Sequence, residues 1–176
     1  VDSANVCIGQ RLLVERAAAL RQEGFSAERI AKALDEEKGH IVVLALLDTL
    51  LYLKKGGRIS SATAFAGELL SIKPLVAVID GEVKLIGKAR GVKKGNRLLR
   101  ERMEESGGIR FEMPFSLAYS GLSRKRLDAY IEESQDIWQE WEGEDLPITT
   151  VGCVIGTHVG PNGIAVAFFQ KGASKQ

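Results

Sequence analysis

The sequence predicts an α+β fold: a two-layer domain with a largely antiparallel sheet covered by helices, preceded by two further helices. Three observations carry this reading. Asp80-Gly81 sits between the alternating runs Leu75 to Ile79 and Glu82 to Ile86, the pattern of a two-residue hairpin. The other apolar runs are separated by helical patterns rather than by short turns, which suits helices packed on a sheet. The chain also opens on two amphipathic helical patterns with no strand beside them.

Taken in order, Val1-Asp2-Ser3 reads as the end of a strand and the loop after it. Gly9 to Gln22 places Leu12, Leu13, Arg16, Ala17 and Leu20 at helical spacing and is closed by Gly24. Ser26 is a good N-cap for a second helix with Ile30, Ala33 and Leu34 on its apolar face. Both helices must bury a face. Their natural partner is a sheet formed by earlier sequence, so an N-terminal truncation is expected. Residues 1–38 are then the remnant of an N-terminal domain, and 39–176 form a C-terminal α+β domain.

Ile41 to Leu47 is a buried strand. A short helical pattern starts at Asp48 and carries Leu50, Leu51 and Leu53. Gly56 is expected to stop it with a positive φ, and Gly57 to turn the backbone sharply. Ser60-Ser61 caps a further helix with Ala62, Phe65, Ala66, Leu69 and Leu70 on one face, ended by Pro74. After the hairpin, Gly87 to Gly91 reads as a basic connection, Val92 to Ser106 as a charged helix, and Gly107-Gly108 as its stop. Phe111 to Tyr119 is a strand that Pro114 confines to an edge or divides in two. Leu122 to Trp141 is a long helix or a helix pair. Ile148 to Ile155 and Ile164 to Phe169 are strands joined by the glycine-rich loop Gly156 to Gly163.

Composition narrows the function. With 176 residues, 45% hydrophobic and 27% charged, the chain can bury a proper core. A net charge of +1 with scattered basic residues gives no basis for nucleic-acid binding. The longest apolar run, Ile41 to Leu47, is too short to cross a bilayer, so no stable membrane insertion is expected. Cys7 and Cys153 are isolated from each other, which suits a reducing cytoplasm. There is no Gly-Lys-Ser/Thr phosphate loop, no dinucleotide glycine spacing and no nucleophile elbow around Ser120. Cys153 and His158 lack a second ligand pair, so no metal is expected. Nothing among these residues argues strongly for an enzyme, and no cofactor is expected.

Three places remain informative. Arg58 is expected beside the N-terminus of the helix after Ser60, where a guanidinium and free N–H groups would receive a small anion. The apolar face of that helix suggests a ligand with an anionic head and an apolar tail; the alternative is that Arg58 only pairs with a carboxylate and caps the turn. His158 follows a strand in a glycine- and proline-rich loop, where it is either structural or a titratable ring turned to a ligand. His40 reads as a solvated residue. Arg90 stands out in Lys88-Ala89-Arg90-Gly91, because Gly91 allows close backbone approach.

Five motifs occur in a fixed order: Val1-Asp2-Ser3 with Gly9-Gln10; Asp48-Thr49-Leu50 with Tyr52 to Ser60; Ile72-Lys73-Pro74; Lys88-Ala89-Arg90-Gly91; and Ile155 to Pro161. Together they resemble the DegV family, the bacterial fatty-acid-binding proteins, over almost the whole chain, as its C-terminal part. The resemblance implies a long-chain fatty acid held between two domains. It also implies a partner, a fatty acid kinase that phosphorylates the presented carboxylate to an acyl-phosphate for phospholipid synthesis. Arg58 and His158 match the family's polar positions near the carboxylate, and Phe65, Leu69 and Leu70 would line the acyl tunnel. Arg90 matches a third polar position and is assigned to support of the partner and of phosphotransfer. The family's N-terminal Ser and Thr, which bond the carboxylate directly, have no counterpart here. The competing readings are an enzyme acting on a small phosphorylated substrate and an interaction module without a ligand.

Overall fold

The computed structural model describes residues 1–60 and 71–172. The expected helix after Ser60, with Phe65, Leu69 and Leu70, lies outside the described residues. One six-stranded sheet organises the fold. Its strands are β1 (Ile41–Leu46), β2 (Ile72–Ile79), β3 (Glu82–Arg90), β4 (Phe115–Tyr119), β5 (Ile148–Thr150) and β6 (Ile164–Phe169), in the spatial order β3-β2-β1-β6-β4-β5. Every neighbouring pair is antiparallel except β4 and β5. The helices are α1 (Ile8–Gln22), α2 (Ala27–Glu37), α3 (Leu51–Lys55), α4 (Val92–Glu105), α5 (Lys125–Glu133), α6 (Gln135–Trp138) and α7 (Cys153–Val159).

The period of two in the strands decides which helix covers which face. On one face Leu44 and Leu46 of β1 and Val166 and Phe168 of β6 pack with Leu99 and Met103 of α4 and Leu127 and Tyr130 of α5. Phe115 and Trp138 stack there at 6.5 Å between ring centroids. On the other face Ile41, Val43 and Phe169 meet Ile8, Leu12 and Leu13 of α1 and Leu34 of α2. Each of these fully buried aliphatic side chains contributes about 1.5–3 kcal/mol. The apolar face of α1, expected to lack its sheet, therefore has one in this domain. Arg16 fixes α2 to α1 through a bidentate pair, Nε and Nη2 donating to Glu37 at 2.8 and 2.9 Å.

The hairpin forms as expected. Asp80 (φ 54°) and Gly81 (φ 76°) both take positive φ, and Ile79 pairs with Glu82. Such a turn follows the natural twist of the two strands. The stretch after Ile86 differs from expectation: β3 continues through Lys88 and Ala89 to Arg90, because Ile72 to Leu75 of β2 supply its ladder. Pro74 stands inside β2 instead of ending a helix. Its carbonyl accepts from Leu47 N at 2.9 Å, on the side facing the end of β1. The N–H it lacks would point the same way, so the β2–β3 ladder loses nothing.

Three further boundaries are corrected, and the helix pair allowed for Leu122 to Trp141 is found. The helix expected from Asp48 begins at Leu51, with Thr49 Oγ1 accepting from Leu51 N at 3.1 Å. The strand before Tyr119 starts only at Phe115, after Pro114. Leu122 to Trp141 is a helix pair, broken at Ser134, whose hydroxyl donates to Tyr130 O and accepts from Trp138 Nε1 at 2.9 Å. The strand expected over Ile148 to Ile155 stops at Thr150, and the first half of the loop expected over Gly156 to Gly163, His158 included, belongs to helix α7.

Candidate functional site

Helix α3 ends in a Schellman motif. Arg58 N donates to Leu53 O at 2.8 Å and Gly57 N to Lys54 O at 3.0 Å. The residue with positive φ is Gly57 (66°), while Gly56 keeps a helical φ of −79°. Gly56 therefore was not needed for the turn, and the structure shows what it is needed for. A Cβ at residue 56 would fall 2.0 Å from Nδ1 of His158. The imidazole lies flush against the backbone at the end of α3. One helix turn away the relationship is reversed: Gly160 (φ 72°) ends α7, and a Cβ there would lie 2.2 Å from the Tyr52 ring. Two glycine–ring contacts thus interlock α3 and α7, which are far apart in sequence.

This interlock places Arg58 and His158 on either side of one residue. Arg58 folds back so that Nη1 donates to Gly56 O at 3.1 Å, while the side chain stays exposed. That bond also sets the guanidinium against the negative end of α3, a favourable arrangement. His158 Nδ1 is sealed from solvent without a hydrogen-bond partner, which leaves Nε2 as the nitrogen available to a ligand. The support beneath is polar and buried. Ser120 Oγ donates to Gly160 O at 2.5 Å and accepts from Gly163 N at 3.0 Å, which fixes the exit of α7 to β4. At the root of α3, Asp48 Oδ1 accepts from Lys73 Nζ at 2.5 Å and from Arg126 Nη1 at 3.0 Å.

Below α3 and α7 lies a narrow apolar cleft, open to solvent at its mouth. Its floor is the sheet face carrying Val43, Ala45, Val76, Ala118 and Ala165. One wall is the start of α1 with Val6, Cys7 and Ile8; the other is Leu53 of α3 with Ile155 and Val159 of α7. Burial pushes the Cys7 thiol up, against the smaller opposing effect of the Ile8 backbone N–H, so Cys7 is a neutral lining group. A second groove, containing Gly57, Arg58 and Ile59, faces the hairpin residues Gly81 to Leu85. Val83 lines both the groove and the cleft, so the two adjoin.

Of the residues picked from the sequence, Arg58 and His158 both lie against Gly56. Arg90 is not with them. It ends β3, at the opposite end of that strand from the hairpin, and lines a separate groove with Lys94, Arg97 and Arg100. Phe65, Leu69 and Leu70 lie outside the described residues. Sequence reasoning missed Tyr52, Ser120 and the whole cleft floor. The signal for Tyr52 was its place in the same motif as Gly56; the small residues of the floor gave none. Among the described residues no group of His, Cys, Asp or Glu could hold a metal ion, and no helix is long and apolar enough to cross a membrane.

The sequence pattern of the family described as "Uncharacterised protein, DegV family" matches residues 1–171. A DegV domain-containing protein of Clostridium perfringens is 36% identical over 171 residues, 96% of this chain and 57% of that protein. Among solved structures, a DegV family protein from Thermus thermophilus, described for its fatty acid binding, aligns with a TM-score of 0.79 at 28% identity. That match covers 96% of this chain and 60% of the other. The Fatty Acid Kinase (Fak) B3 protein of Streptococcus pneumoniae, loaded with linoleic acid, shares the fold with a TM-score of 0.81 at 22% identity. It covers 96% of this chain and 58% of the other. The chain thus spans about three fifths of the length of these relatives. With its mixed sheet, its motifs and these matches in agreement, the chain belongs to the DegV family.

Proposed function

We propose that the protein binds a long-chain fatty acid, with the tail in the apolar cleft and the carboxylate at the rim formed by Arg58 and His158. One observation carries this: both residues touch Gly56, and α3, which Arg58 follows, and α7, which carries His158, form a wall of the cleft. A carboxylate leaving water costs several kcal/mol unless charge and hydrogen bonds replace its hydration. Arg58 supplies a permanent charge and His158 Nε2 a directional partner. Each buried methylene of the tail then adds about 0.8 kcal/mol. Phe65, Leu69 and Leu70, in the segment that follows Arg58, are proposed to complete the cleft.

The role proposed is that of a carrier in the bacterial cytoplasm. The carrier presents the carboxylate to a separate fatty acid kinase, which forms the acyl-phosphate used in phospholipid synthesis. The fatty-acid binding described for the Thermus protein and the kinase name of the Streptococcus protein support this reading. Arg90 is proposed to serve the kinase encounter, since it is exposed and lines a charged groove separate from the cleft. The test is mass spectrometry of protein purified gently and then denatured. A stoichiometric long-chain fatty acid is expected; a phosphorylated small molecule in its place would point to an enzyme and sink the carrier reading.

A further inference from the structure

The floor of the cleft has a direction. Val76 of β2 pairs with Ala45 of β1, Ala45 with Ala165 of β6, and Ala165 with Ala118 of β4. These four residues are cross-strand neighbours in one continuous row, and all four line the cleft. The row runs perpendicular to the strands over three inter-strand steps, a length of roughly 14 Å. Its two ends differ. At the β2 end the next residue across is Leu85 of β3, which lines the groove that contains Arg58 together with Val83, the residue that groove shares with the cleft. At the β4 end stand Val151, whose N–H donates to Tyr119 O at 2.8 Å, and Ile155 of α7. One end therefore adjoins the groove of Arg58, and at the other the cleft itself is lined by the apolar Val151 and Ile155, while the row continues to Thr149 of β5.

We infer that the acyl chain lies across the strands along this row with its methyl end over Ala118, so that Ala165 and Ala118 set the chain length accepted. The inference rests on the fatty-acid reading above and adds an orientation and a gauge to it. Alanine at three of the four positions keeps the floor low. The sheet has no freedom to sink beneath a larger side chain, because Leu46, Leu117, Val166 and Phe168 fill its other face. A leucine at Ala118, which shares a core cluster with Ile8 and Leu12 of α1, presses on that helix and takes space from the end of the tail. A leucine at Ala45, nearer Arg58, takes it from the part every acid occupies.

The experiment compares affinities for heptadecanoic and decanoic acid in the wild type and in Ala118→Leu, Ala165→Val and Ala45→Leu. Each methylene expelled from the cleft costs about fourfold in affinity. Ala118→Leu and Ala165→Val are expected to weaken heptadecanoate about tenfold or more and to leave decanoate within about twofold. Ala45→Leu should weaken both. Ala165→Val adds only two methyl groups and serves if Ala118→Leu does not fold. Equal losses for the two acids at Ala118 and Ala165, or length selectivity only at Ala45, would overturn the orientation while leaving the fatty-acid reading intact. A wild-type protein that binds neither acid would overturn the reading itself.

Discussion

The imidazole of His158 occupies the space that a side chain at residue 56 would need: a Cβ on Gly56 would lie 2.0 Å from Nδ1 and 2.6 Å from Cε1. Gly56 has a helical φ of −79°, so alanine there is conformationally allowed and would by itself favour the helix. The conflict is with the ring alone. Gly56→Ala is therefore expected to cost about 1–3 kcal/mol, measured by urea unfolding. In a His158→Ala background the same change should cost little or nothing. Additive losses in the double variant would show that the two residues are not in contact.

The turn at Asp80-Gly81 gives a prediction for stability alone. Gly81 has a φ of 76°, which a β-branched residue adopts only with strain. Gly81→Val should lower stability by about 1–2 kcal/mol. A melting temperature equal to wild type would refute the mirror-type turn.

How much of this could be read beforehand depended on how local the deciding interaction was. The hairpin, the cap at Ser26 and the stop at Gly24 are written in neighbouring residues, and they appear where expected. The end of β3 is not local. Lys88 to Arg90 look like a basic connection until Ile72 to Leu75 are placed beside them. Helix α7 was hidden by its composition, because Gly156, Gly160 and Pro161 suggest a loop. What holds the helix is tertiary: Ile155 and Val159 on the cleft, Tyr52 against Gly160, His158 against Gly56. The partner of α1 was equally invisible, since nothing local says that the odd-numbered residues of β1 are free to receive it. Arg58 and His158 could be picked out as separate residues, but their meeting at Gly56 is a property of the fold.

Alkaline pH should reveal the buried ring of Tyr130, whose hydroxyl donates to Met103 Sδ at 2.9 Å. Burial raises its phenol well above the ordinary value of 10.0. Below that value the phenol is neutral in both the folded and unfolded states, and its contribution does not change with pH. Above it the unfolded chain releases the proton while the folded protein keeps it, so stability falls as pH rises. The expected slope from this one group approaches about 1.4 kcal/mol per pH unit. Tyr130→Phe should remove that component, seen as the difference between the two unfolding curves across pH 10. Identical alkaline slopes would place the phenol in solvent.

Arg90 separates binding from presentation. Because it stands at the opposite end of β3 from the hairpin, Arg90→Ala is expected to leave fatty-acid affinity within about twofold, the range of an exposed substitution. Acyl-phosphate formation with the partner kinase should fall strongly. Loss of affinity with unchanged turnover would reverse the roles assigned to Arg90 and to the rim.

The central claim is that the fatty-acid carboxylate is held at the Arg58–His158 rim, and the affinity of Arg58→Ala for heptadecanoic acid tests it most directly. Removing the guanidinium leaves the cleft walls, the Gly57 turn and His158 in place. The account predicts a loss of about 1.5–3 kcal/mol, roughly ten- to a hundred-fold in Kd, with an unchanged melting temperature of the unliganded protein. A folded Arg58→Ala protein that binds the acid as tightly as wild type would contradict it.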